Sequence, residues 1–126
     1  LKLGLIPGDG GAWLLPRIIG SARAAQLLFT GDVIDAETAL DWGLISEVHA
    51  PEALMDSAMA LAERMAVQPP QALRLAKTLL RHGQTASYDT IMELSAASQA
   101  LMHETEDHME GVHAILEKRA PKFEGK

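Results

Sequence analysis

The chain has 126 residues, 48% of them hydrophobic, and a formal net charge of −6, which suffices for one ordinary core and has the wrong sign for neutralising nucleic-acid phosphates. It contains no cysteine, which excludes disulfide frameworks, thiolate catalysis and Cys-based zinc sites, and fits a reducing compartment. No apolar run approaches the roughly 18–20 residues of a membrane span.

There is no initiator Met, and the opening residues read as the end of a strand that runs into a glycine-rich turn, as if the chain began mid-protein. Gly10-Gly11 introduce a helix carrying Leu14, Leu15, Ile18 and Ile19 on one side, stopped by Gly20. Pro16 lies inside that pattern and should shorten or kink it. Ser21 is placed to cap a second helix, Ala22 to Phe29, broken by Thr30-Gly31-Asp32. Val33-Ile34 reads as a short extended piece. Asp35 then caps Ala36 to Trp42, with Gly43 at the position past the helix end that wants a left-handed residue.

Leu44 to Val48 is predicted as a strand, β-branched and bounded by Gly43 and Pro51. Leu54, Ala58, Leu61, Ala62 and Met65 then recur at helical spacing. Gln68-Pro69-Pro70 is the clearest boundary, because proline cannot continue the preceding helix. Beyond it everything is helical by period: Ala72 to Arg81, Ser87 to His103, and a last helix capped by Thr105 and running to Arg119. Glu106 and Asp107 fall in the first turn of that helix, and Lys118 and Arg119 in its last, an order that complements the helix dipole. The expected organisation is a mixed α/β tail over residues 1–67 followed by a helical region over 68–126, mainly α with one or two short strands.

Several groups could carry chemistry. Gly8-Asp9-Gly10-Gly11 opens a helix, where glycines admit a ligand close to the backbone and free amides attract negative charge; a tight turn explains the same glycines. Asp9 could be held ionised there as a base or water-orienting group, although an N-cap is the plainer reading. Trp42, beside Gly43, reads as packing, whereas Trp13 follows the glycine loop and could line a pocket. His103, Asp107 and His108 suggest a helical metal site, but the zincin spacing needs histidines at i and i+4, and here position i+4 is Asp107.

The blocks Leu5-Ile6-Pro7-Gly8-Asp9-Gly10-Gly11-Ala12-Trp13, Gly31 to Ala36 with Ala39 to Ile45, Pro70-Gln71-Ala72-Leu73 with Lys77, and Glu110 to Phe123 together resemble the enoyl-CoA hydratase/isomerase (crotonase) family. The resemblance implies the C-terminal part of the α/β crotonase-like spiral fold. It also implies chemistry on acyl-CoA thioesters through an oxyanion-stabilised enolate, either syn hydration of a 2-enoyl-CoA or a double-bond shift, in the breakdown of fatty or related acids. No cofactor is implied, because coenzyme A is part of the substrate.

By the same resemblance, Lys118 matches a lysine that reaches the phosphates of coenzyme A across a subunit boundary, and Ile115 a position often aromatic beside the adenine. The glycine loop and Trp13 border the acyl pocket. Some relatives carry an acidic catalytic residue in this loop, at the position of Gly8. The oxyanion amides and the glutamates of hydratases fall before Leu1. The family further implies a trimer or a dimer of trimers in a bacterial-type cytoplasm, the mitochondrial matrix or the peroxisome, with no membrane or nucleic-acid partner. A crotonase-like acyl-CoA binder without hydratase activity is the alternative, and a helical metalloenzyme a remote one.

Overall fold

The computed structural model describes residues 2–126. Its helices are α1 (Gly11–Ile19), α2 (Ser21–Thr30), α3 (Ala36–Asp41), α4 (Leu54–Ala66), α5 (Pro70–Gly83), α6 (Tyr88–His103) and α7 (Glu106–Leu116). The chain divides into two compact units, one ending at Ser57 and one beginning at Ala58.

In the first unit α1 packs on α2 across Gly20. Ile19 of α1 and Ala24 of α2 are the buried residues of this helix pair. α1 runs through Pro16 without the one backbone bond that a proline cannot donate. Gly20, and not Ser21, occupies the N-cap of α2, and no side chain caps it. Ser21 is already helical, since Gly20 at φ 82° makes the sharp exit from α1 that a side chain would resist.

Asp35 caps α3 as expected: its carboxylate accepts the Thr38 amide at 2.8 Å, and hydrogen bonding by Thr38, first through its side chain and then through this amide, holds the Asp35 pKa below the ordinary value. Gly43, at φ 74°, closes the helix, its amide donating to Leu40 O and that of Leu44 to Ala39 O, both at 2.9 Å. This is the paired Schellman closure.

The expected strands do not form. Among the described residues there is none. Leu44 and Ile45 turn their amides back onto Ala39 O, at 2.9 and 3.4 Å. β-branched composition favours extended backbone, but a strand exists only where a second strand supplies the ladder. Val33-Ile34, Leu44 to Val48 and the segment before Gly8 have no such neighbour among the described residues.

In the second unit α5 packs on α6 and α6 on α7. α5 begins at Pro70, with the first helical position taken by the residue whose missing amide costs nothing there. Ser87 and Thr105 cap α6 and α7 by accepting the Thr90 and His108 amides at 3.2 and 3.1 Å. The apolar stripes are only partly used inside the unit. On α6 the half-buried row is Ile91, Ser95, Ser98 and Met102, while Leu94, Ala97 and Leu101 are exposed. On α5 Ala72, Leu75 and Leu79 are half-buried, and Leu73, Ala76 and Leu80 face outward.

The last helix stops three residues early. α7 ends at Leu116, with Glu117 as C-cap. Lys118 then takes φ 53°, so Lys118 and Arg119 follow the helix instead of filling its last turn. The residues after it return across the unit. Asp107, only 5% exposed, accepts the amides of Glu124 and Gly125 at 2.7 and 2.9 Å, and Gln71 donates to Gly125 O at 2.8 Å.

Candidate functional site

The glycine loop is built as a tight turn leading into α1. The Gly8 amide donates to Ile6 O at 2.8 Å, and the amides of Trp13 and Leu14 donate to Gly10 O at 3.0 and 2.9 Å. Gly10, at φ 99°, is the N-cap of α1 and no side chain caps it. Asp9 therefore does not serve as the cap. A left-handed N-cap places the glycine one residue later than the capping-aspartate reading requires, and Asp9 stays in the turn. A β-carbon at Gly8 would meet nothing within 4 Å, and its φ lies outside the left-handed region, so this position has room for a side chain.

Trp13 stands on the first turn of α1, 44% exposed. The Arg17 guanidinium lies 4.0 Å from its ring centroid and donates to Trp13 O at 2.8 Å. The indole thus keeps one face engaged by a cation–π contact. Trp42 is half-buried, with the Arg23 guanidinium 5.1 Å from its ring, in keeping with packing.

The second group lies at the end of α7. The Lys118 amide donates to Ile115 O at 3.2 Å and that of Arg119 to Ala114 O at 3.0 Å, the same paired closure that Gly43 makes after α3. Here the left-handed position is held by lysine, the one non-glycine residue with positive φ among those described. A side chain in that region costs about 1–2 kcal/mol. Ile115, beside it, is 79% exposed.

Arg119 grips the carboxylates around this turn. Its two terminal nitrogens donate to the two oxygens of Glu110 at 2.6 and 2.8 Å, and Nε donates to Glu117 at 2.6 Å. Glu110 also accepts the Lys122 amide at 2.7 Å. These bonds, first that of Arg119 and then that of Lys122, bring the Glu110 pKa down from 4.5 to about 2. Glu110 and then Glu117 raise that of Arg119. Among the described residues no side chain pairs with the Lys118 ammonium.

The His103–Asp107–His108 set is not assembled. His103 Nδ1 and His108 Nε2 lie 3.1 Å apart with their rings nearly perpendicular, but Asp107 spends both oxygens on the amides of Glu124 and Gly125. Among the described residues no three His, Asp or Glu side chains gather closely enough to hold a metal.

The whole chain, residues 1–126, matches the family model for enoyl-CoA hydratase/isomerase. The chain belongs to the enoyl-CoA hydratase/isomerase family. It is 45% identical to the 1,2-epoxyphenylacetyl-CoA isomerase of Escherichia coli over 99% of its length and 48% of that protein. It is 39% identical to the crotonyl-CoA hydratase of Syntrophomonas wolfei over 96% of its length and 46% of that protein. The crystal structure of an enoyl-CoA hydratase from Bacillus anthracis superposes at a TM-score of 0.96, with 36% identity, over 99% of this chain and 48% of that one. The chain therefore spans about half the length of the curated relatives it matches, and its fold is a part of the crotonase fold.

Within this enoyl-CoA hydratase/isomerase chain, Gly8, Asp9 and Trp13 fall in the first unit and Ile115 and Lys118 in the second. Residue-by-residue reading of the sequence missed Glu110 and Arg119 as a bonded pair, and Asp107 as the anchor of the terminal segment. Asp107 and Arg119 read as ordinary helix-end charges, and Glu110 carried no signal of its own. Neither a nine-residue separation nor a chain reversal leaves a period in the sequence.

Proposed function

We propose that the chain is the C-terminal half of an enoyl-CoA hydratase or isomerase that acts on acyl-CoA thioesters in the degradation of fatty or related acids. The observation that carries this is the family match across all 126 residues. The two relatives are named for isomerisation and for hydration, and both names specify a coenzyme A thioester. The shared substrate class is thus the firm common ground.

In this proposal Lys118 binds the coenzyme's phosphates. An unpaired ammonium on an exposed turn suits a mobile phosphate oxygen, and the strain at φ 53° is the kind retained at working sites. Ile115, apolar and exposed beside it, would lie along the adenine. Trp13 and the Gly8–Gly11 loop would border the acyl chain. Asp9, free of a capping role, is the acidic side chain of that loop, whereas Gly8 stands where some relatives carry a carboxylate. The oxyanion amides and catalytic glutamates would come from the other half of the protein. There they stabilise the negative charge that develops on the thioester oxygen more strongly in the transition state than in the ground state. No cofactor beyond the coenzyme of the substrate is required, and the protein would assemble as a trimer or hexamer in a bacterial-type cytoplasm. Among the described residues no helix is long and apolar enough to cross a membrane.

A crotonase-like acyl-CoA binder that lacks the hydratase glutamates is the second reading, and Gly8 adds that the loop carboxylate of some relatives is missing as well. Comparing residues 1–126 with the full-length protein tests the first. Hydration of crotonyl-CoA by the 126-residue chain is expected to be absent, since losing oxyanion stabilisation alone costs about 10²–10³ in rate. Turnover near the full-length rate would overturn the division of labour. A full-length protein that binds acyl-CoA without turnover would favour the second reading.

A further inference from the structure

The turn after α7 concentrates opposite charges. Glu117, Lys118, Arg119 and Lys122 fall within six consecutive residues and Glu110 lies against them, yet the pairing is selective. Arg119 takes Glu110 through a two-pronged fork at 2.6 and 2.8 Å and Glu117 through Nε at 2.6 Å. Glu110 is filled further by the Lys122 amide at 2.7 Å. Lys118, chain neighbour of both Glu117 and Arg119, is left with no side-chain partner among the described residues.

The selectivity has a physical cause. A guanidinium offers planar, parallel donors that match a carboxylate, whereas an ammonium is a point charge on a flexible stem. In competition for one carboxylate the fork wins. The same residue also fixes the backbone: the Arg119 amide closes α7 on Ala114 O, while its guanidinium reaches back nine residues to Glu110 within α7. With the residue after Lys118 held at both ends, the left-handed conformation of Lys118 is over-determined, which a strained residue requires in order to persist.

We propose that Arg119 is a positioning residue. By occupying Glu110 and Glu117 and fixing the end of α7, it keeps Lys118 unpaired and in its left-handed conformation, ready for a phosphate-bearing ligand. The use of Lys118 by coenzyme A rests on the function proposed above; the control of Lys118 by Arg119 does not. Without Arg119, two carboxylates are released beside a lysine that has no partner. Glu117 is the nearer in sequence, and pairing with it would compete directly with any anionic ligand.

Two measurements on the full-length protein separate these levels. The first is NMR titration of Lys118 in protein labelled at lysine Cε. In R119A the Lys118 pKa is expected to rise, because the released carboxylates favour the charged ammonium, and to return when Glu110→Gln and Glu117→Gln are added. The second is calorimetric titration with coenzyme A. Lys118→Ala should weaken binding about tenfold, about 1.4 kcal/mol. R119A should weaken it roughly three- to tenfold, R119A with Glu117→Gln should recover most of the loss, and R119A should add nothing in a K118A background. A merely structural arginine would weaken binding regardless of Glu117 and additively with Lys118.

R119K, which keeps the charge but loses the fork, should fall between wild type and R119A, and it serves as the test if R119A fails to fold. An unchanged Lys118 titration in R119A, or in R119K where that variant stands in, overturns the proposal. A shifted titration with coenzyme affinity untouched by Lys118→Ala leaves the control by Arg119 standing and removes the phosphate role of Lys118.

Discussion

Lys118 and Gly43 perform the same backbone task, each closing a helix through paired amide bonds from a left-handed position, and only one of them is a glycine. The comparison isolates what a side chain costs at that position. Lys118→Gly should relieve strain and stabilise the second unit by about 1 kcal/mol, less the extra entropy of a glycine in the unfolded chain. The same change should weaken coenzyme A binding. Denaturant midpoints and calorimetry on one pair of proteins read both effects; a K118G protein less stable than wild type would mean that the lysine stem packs usefully where it stands. Glu110 gives a second residue-scale expectation. Folding lowers its pKa from 4.5 to about 2. Its contribution is therefore fully present above pH 4.5, and is lost as pH falls through the folded value near 2. Acid unfolding followed by circular dichroism should show wild type losing stability in that window, with Glu110→Gln flatter across it.

At the scale of the element, the helix starts that carry a side-chain cap were legible and several ends were not. Asp35 and Thr105 announce their helices, because a short polar side chain beside an apolar period has a local reason to be there. Ser21 has the same chemistry and fails, since Gly20 already makes the turn. The start of α1 shows the same rule, with Gly10 in place of Asp9. Where a glycine and a capping side chain compete within one residue, backbone freedom decides. Thr105 both accepts the His108 amide at 3.1 Å and donates to Met102 O at 2.7 Å, and so joins the end of α6 to the start of α7. Thr105→Ala should cost about 1 kcal/mol, while Thr105→Ser should restore most of it. Urea denaturation checks this, and an unchanged midpoint in T105A would mean that solvent replaces both bonds.

At the scale of the whole molecule, the outward faces of the second unit matter most. Leu80 is 74% exposed and Leu101 62%, each in an apolar row at helical spacing, and patches of this kind are rare on the surfaces of free monomers. The full-length protein is expected to bury them, partly within its own chain and partly between subunits, as a closed trimer or hexamer. Light scattering of the full-length protein at micromolar concentration should return that mass. A monomeric mass would assign both rows to packing within one chain. Replacing Leu80 and Leu101 by Gln should, on the expected outcome, shift the mass towards monomer with little change in helicity.

The sequence by itself determined the family, the order of the helices and the starts capped by Asp35 and Thr105, because these rest on local causes: periodicity, caps, prolines and short motifs read in order. It also suggested strands at Val33-Ile34 and Leu44 to Val48 that do not form, since a strand is defined by a neighbour and no stretch of β-branched residues supplies one. Tertiary structure alone decided that Asp107 turns inward to hold Glu124 and Gly125, and that Arg119 reaches back to Glu110. It alone made Leu94 and Leu101 the outward row of α6, with Ile91 and Met102 in the half-buried one. In each case the deciding partner lies a chain reversal or a neighbouring helix away, and residues brought together by packing need share no spacing along the chain.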